Sequence, residues 1–140
     1  MFKLNPLTSF FLPFILLLLC SCNPVIEDPA VDYKQVIENN SDFNLLLITS
    51  RFDDVDSVII PMEEEYILLD ITGIGTIKGY RDCDTNNSGT LSLEVESSDS
   101  LAVNIDPNQS SNWQFTIFEE YDNGGGVGEC RLVIDNEDIK

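Results

Sequence analysis

The stretch "DCDTNNSGTLSLEVE", Asp82 to Glu96, holds the densest set of residues whose types and spacing could do chemistry. Asp82, Asp84, Asn86 and Ser88 offer side-chain oxygens at alternate positions, the spacing by which a short loop wraps a hard cation such as calcium. The rest of such a loop is missing. Asn87 stands at the sixth place where glycine makes the sharp turn, and Gly89 at the eighth where an apolar residue belongs. Leu93 stands at the twelfth, where a bidentate carboxylate should close the shell, and Glu94 comes one residue late. A β-hairpin loop that uses Asp, Asn and Gly for turn geometry accounts for the same residues without a metal. The expectation is no metal and no other cofactor, with calcium at these four positions as the alternative.

Carboxylates also gather at Glu63 to Glu65 and at Glu119, Glu120 and Asp122. Glycoside hydrolysis needs two carboxylates at a set separation along a long cleft, which a small domain seldom builds. A solvated acidic face is the simpler reading. "DNGGGVG", Asp122 to Gly128, lacks the Lys-Ser/Thr close of a phosphate loop and opens no helix. It reads as a mobile hairpin loop, of the kind that often carries binding residues. Trp113, Tyr121 and Tyr80 could form an aromatic contact patch with it, although Trp113 alternates with core positions and packs there by default. The chain has no histidine, which removes the commonest general base and every Ser-His or Cys-His pair. No enzyme activity is expected.

The N-terminal residues carry different chemistry. An apolar run from Phe10 to Leu19 follows Lys3, contains Pro13 and meets no acidic residue until Glu27. It is too short to cross a bilayer comfortably and reads as a secretory signal peptide. The run ends in "LLLLCSCNP", in which Leu19, Cys20 and Ser21 precede Cys22. This order resembles the lipobox of bacterial lipoproteins, with a cysteine at its middle place and a single basic residue in the preceding segment as departures. The resemblance implies that residues 1–21 are cleaved off with Cys20, and that Cys22 takes a diacylglyceryl thioether and an acylated amino group. Each buried methylene contributes about 0.8 kcal/mol, so several acyl chains anchor a protein stably without spanning the membrane. Residues 22–32 carry two prolines and three acids and suit an extended tether. Within them, Glu27 and Asp28 resemble the acidic export signal that some Gram-negative bacteria use to place lipoproteins on the outer surface; a solvated linker reads equally well.

With Cys22 acylated, Cys83 and Cys130 remain. Two thiols without histidine make a poor zinc site, and in an oxidising envelope compartment they read as a disulfide. The formal charge is −18, from 7 basic against 25 acidic side chains. Such a surface repels nucleic acid and anionic headgroups. It favours a basic protein partner, or serves solubility alone.

The elements that must position these residues lie in 33–140, which reads as one domain. Short apolar runs such as "YKQVIE", "FNLLLITSRF", "EEYILLDIT", "LAVNI" and "ECRLVID" are separated by Asn, Asp, Gly and Ser clusters. Leu91, Leu93 and Val95 alternate with polar residues, as do Trp113, Phe115 and Ile117, the mark of strands with one wet face. No segment sustains a helical period. The pattern predicts an all-β domain, an antiparallel β-sandwich immunoglobulin-like in broad architecture, with a small β-barrel as the alternative. "YKQVIENNS" (33–41) and "IDNEDI" (134–139) loosely resemble small envelope lipoproteins whose single β-domain opens with a similar Asn-Asn-Ser turn. Two functions stay open. The first is a lipid-anchored binding or structural module at the outer membrane or cell surface. The second is an acidic inhibitor or immunity-type protein that caps a basic enzyme or toxin.

Overall fold

The computed structural model describes residues 27–52, 54–85 and 88–140. Cys22 and the apolar run before it lie outside these residues, as does Asn86 of the calcium candidate. Seven strands follow one another: β1 (Ala30–Asn39), β2 (Leu45–Arg51), β3 (Asp54–Ile60), β4 (Glu64–Ile74), β5 (Thr90–Val95), β6 (Gln114–Glu120) and β7 (Gly126–Ile134). They form a four-stranded sheet in the order β4-β1-β7-β6 and a three-stranded sheet in the order β3-β2-β5. Helical structure among the described residues amounts to short 3-10 turns, including Ile77–Tyr80 and Ser110–Asn112.

The sandwich follows from alternation. Val31, Tyr33, Gln35, Ile37 and Asn39 of β1 are buried, and β7 turns Cys130, Leu132 and Ile134 inward beside them. β2 and β5 answer from the other sheet with Leu45 and Leu47, and with Leu91, Leu93 and Val95. All but Gln35 and Asn39 belong to one apolar cluster, which Trp113 and Ile77 complete. At roughly 25 cal/mol per Å² of apolar surface removed from water, this cluster is the main stabilising term.

Four expectations are corrected. Both sheets are open, each with two edge strands, so the small barrel is excluded. Nor is the pairing antiparallel throughout, because β1 runs parallel to β7 from Val31↔Gly126 to Asn39↔Ile134. The first and last strands share no turn, and a connection that long leaves their relative direction free. The segment "LAVNI" forms isolated bridges, Glu94↔Ala102 and Val103↔Ile139, instead of a strand. Ala102 and Lys140 exchange backbone hydrogen bonds and Asn104 N donates to the Asp138 carbonyl, so the C-terminal residues take the place of a ladder partner. Ala30–Asp32, placed in the tether by their sequence, belong to β1, where Val31 is buried.

The outer face of the larger sheet is charged. Arg131 on β7 donates to Glu129 at 2.7 Å, to Glu65 of β4 at 2.8 Å, and to Glu38 of β1. Its guanidinium is held above its ordinary pKa, chiefly by the Glu129 carboxylate and then by those of Glu38 and Glu65. Lys34 faces Asp70 at 3.4 Å on the same side.

Candidate functional site

The connection from β4 to β5 does the work of an eighth strand. Ile77 is fully buried, and a side chain at Gly128 of β7 would meet its Cδ1 at 2.8 Å. Tyr80 then stacks on Tyr33 of β1, with ring centroids 4.4 Å apart and planes inclined by 29°. Cys83 closes a disulfide with Cys130 of β7 across 47 residues of chain, as the cysteine count predicts. Cys83 itself has a φ of 48°, the left-handed region that a non-glycine residue enters at a cost of roughly 1–2 kcal/mol. Such backbone persists where the surroundings over-determine it, here through the disulfide on one side and a buried glutamine on the other. Gln35, fully buried, donates from Nε2 to the Asp84 carbonyl at 2.9 Å and accepts from the Ser88 hydroxyl at 3.3 Å.

This arch does not fill the space beside it. A cavity of about 510 Å³ remains, within the range of ligand pockets. Tyr33 and the inward side chains Leu69 and Ile71 of β4 form its floor. Gly79, Tyr80, Asp82, Asp84 and Thr85 of the arch, with Asn108 and Ser110, form its walls. Asn108 is held firmly: Oδ1 accepts from Leu91 N at 2.8 Å and Nδ2 donates to Leu91 O at 2.7 Å, so an amide side chain pairs with β5 as a strand would. The Asp106 carboxylate accepts from Asn108 N at 2.9 Å, and that bond holds its pKa below the ordinary value. Burial pushes the Tyr33 phenol above its ordinary range; a hydrogen bond with Gln35 opposes this, and the neighbouring Tyr80 and Asp84 add to it.

A wider groove of about 680 Å³ adjoins it and shares Thr85 and Asn108. Its other lining residues are Ser50, Arg51, Phe52, Gly89 and Thr90. Phe52 stands at the β2–β3 hairpin tip, 94% exposed, with a φ of 56°. The Arg51 guanidinium lies 5.9 Å from its ring centroid. Gly89 is required here, since a Cβ at its φ of 82° would lie 2.5 Å from the Ser50 carbonyl oxygen.

Of the calcium candidates, Asp82 and Asp84 share the cavity wall, while Ser88 directs its hydroxyl at Gln35. Glu64 and Glu65 lie on edge strand β4 near Asn39, and Glu119 and Glu120 on the opposite edge strand β6 near Gly126. The carboxylate pairs therefore do not meet. The glycine loop is a tight hairpin, closed by Gly124 N to Tyr121 O at 2.8 Å and Gly125 N to Asn123 Oδ1 at 3.1 Å. The aromatic patch does not assemble there: Tyr80 stacks on Tyr33, and Trp113 is buried with Nε1 donating to Pro107 O at 2.9 Å. Sequence reading missed Tyr33, Asn108 and Phe52 as site residues. One signal was present, a polar Gln35 at an inward position of an otherwise apolar alternation.

No protein-family model, no curated protein and no solved structure matches this chain.

Proposed function

We propose that this chain is a lipid-anchored binding module of the bacterial envelope, without a catalytic centre, held through Cys22 at the outer membrane or cell surface of a Gram-negative organism. The observation that carries the binding half is the cavity beside Tyr33 and Tyr80, whose walls are held by a disulfide and by paired amides. A site so preorganised loses little entropy on binding. The sandwich, immunoglobulin-like in broad architecture, carries this site on a frame whose loops are tied to its strands. Catalysis finds no support in the side chains. Histidine is absent, and Cys83 and Cys130 are bonded to each other. Glu27 and Asp28, exposed just before β1, fit an acidic tether.

Metabolic labelling with an alkyne fatty acid tests the anchor: the wild type and Cys20→Ala should be tagged and Cys22→Ala spared. Labelling lost with Cys20→Ala alone overturns it. A pull-down from solubilised envelope tests the module, with surface transport or polysaccharide proteins as the expected companions. The second reading, an acidic protein capping a basic enzyme or toxin, is favoured by Asp82 and Asp84 at the cavity together with the net charge of −18. Recovery of a basic hydrolase or toxin supports it. For such a partner, association should slow steeply with added salt, since the Debye length is about 8 Å at physiological ionic strength, while dissociation changes far less.

A further inference from the structure

The geometry points to the occupant of the cavity: a guanidinium-bearing side chain of a basic protein partner, inserted between Tyr80 and Asp82 while Phe52 packs onto the partner's surface beside it. This builds on the binding-module reading and adds a partner chemistry to it. Three observations converge. The cavity combines the stacked Tyr33–Tyr80 pair and the aliphatic Leu69 and Ile71 with the carboxylates of Asp82 and Asp84, so an apolar stem and a cationic head would both find complements. No cationic side chain among the described residues lies within ion-pair distance of Asp82, although five such pairs form elsewhere. Lys78, two residues before Tyr80, is directed away to Glu120.

The third observation separates a protein-borne cation from a free one. The cavity opens beside a wider groove through Thr85 and Asn108, and Phe52 stands exposed at that groove's border. An exposed aromatic next to a charged pocket is the composition of an interface centre, where aromatic and Arg anchors dominate. A free small cation would leave Phe52 in water. A neutral sugar could hydrogen-bond to Asp82 but would bring no positive charge to it, so its binding would not depend on charge.

Nitrogen-15 NMR of the folded, disulfide-intact domain tests the proposal with two blocked tripeptides, Gly-Arg-Gly and its citrulline counterpart, which keeps the shape and removes the charge. The arginine peptide should shift the amides of Gly79 to Thr85 and of Asn108 to Ser110, with millimolar affinity. The citrulline peptide should bind at least fivefold more weakly. Asp82→Asn and Tyr80→Leu should each weaken the arginine peptide threefold or more, with spectra that otherwise remain those of the folded domain. Lengthening the peptide by apolar residues on one side should add shifts at Arg51 and Phe52, lost in Phe52→Ala. Equal binding of both peptides overturns the proposal, as do shifts spread over Glu63 to Glu65 and Glu119 to Glu120, or a methyl glucoside that perturbs the same amides independently of salt. If an envelope partner is captured and its binding ignores Asp82→Asn and Phe52→Ala, the guanidinium proposal fails and the binding-module reading stands. If the peptide results hold and the pull-down finds a basic enzyme or toxin whose capture is lost in Asp82→Asn, the guanidinium proposal stands and the partner is that of the acidic-cap reading.

Discussion

Two regions along β1 are closed in opposite ways. At its last residue, Asn39 is fully buried and directs Nδ2 at the carbonyls of Phe43, Ile60 and Pro61, at 2.8, 3.0 and 3.0 Å. Its Oδ1 accepts from Ser41 N at 3.1 Å and from Ser41 Oγ at 2.7 Å. One amide thus ties β1, the turn after it and the end of β3, and among the described residues no buried side-chain polar atom lacks a partner. Nearer the start of the strand, around Tyr33, closure is covalent. The arch from Ile77 to Cys83 is held by a disulfide and a strained residue, and a cavity is left beside it. Hydrogen bonds can be satisfied only at contact distance, so an end sealed by them has no room for a ligand. A cross-link fixes two points and leaves the space between them open. The Asn39 region is therefore read as stability and the Tyr33 region as recognition.

The largest expected effect comes from the covalent side. Replacing Cys83 and Cys130 together by serine opens a span of 47 residues, for which loop-closure entropy gives about 4 kcal/mol. Urea denaturation should show that loss, and NMR should show the amides of 79–85 moving most. Uniform changes over both regions would break the distinction drawn between them. Asn39→Ala should cost about 3 kcal/mol, because buried carbonyls lose their donor, yet leave the Gly-Arg-Gly affinity unchanged. A fall in that affinity without unfolding would couple the two regions.

Arg131→Met sharpens the contrast from the outer face. It leaves Glu38, Glu65 and Glu129 facing one another across β1, β4 and β7, and partly exposed pairs of this kind contribute up to about 1 kcal/mol each. A loss of roughly 2 kcal/mol by chemical denaturation at low salt, reduced at high salt, is expected. Arg131→Lys should recover only part of it, since an ammonium cannot reproduce the fork. A salt-independent loss would assign the role of Arg131 to packing and not to charge.

The smallest effects are those of pH. The Tyr33 phenol has a raised pKa, so the folded state favours its neutral form. That preference is fully present below the ordinary value of 10.0 and is lost as pH climbs through the raised one. An absorbance titration should show one late-ionising tyrosine, absent in Tyr33→Phe. Asp106 runs the other way: its pKa is lowered, so its hold on Asn108 persists above the ordinary 3.8 and is lost as pH falls through the depressed value. The Asn108 amide signal should report that release. The Asn39 lock is built from an amide, a hydroxyl and carbonyls, and should respond to neither.

The sequence by itself determined the strands, because burial on one face of a sheet writes a period of two into the chain wherever a strand has a wet side. Leu91, Leu93 and Val95, or Trp113, Phe115 and Ile117, can be read without coordinates for that reason. Counting pointed to the disulfide, since once Cys20 and Cys22 are read as signal-peptide and anchor residues only Cys83 and Cys130 remain, and these two are bonded. The turn "NNS" was legible as a turn, but the burial of Asn39 under Phe43, Ile60 and Pro61 was not. Only the tertiary structure decided that β1 lies parallel to β7, that "LAVNI" yields its pairing to the C-terminal residues, and that Tyr33 and Tyr80 meet beside Asp82. These facts share a physical cause. Alternation and turn chemistry act between neighbours in the chain and leave a local trace, whereas a cavity is a failure of distant segments to touch, and no single segment carries a record of that.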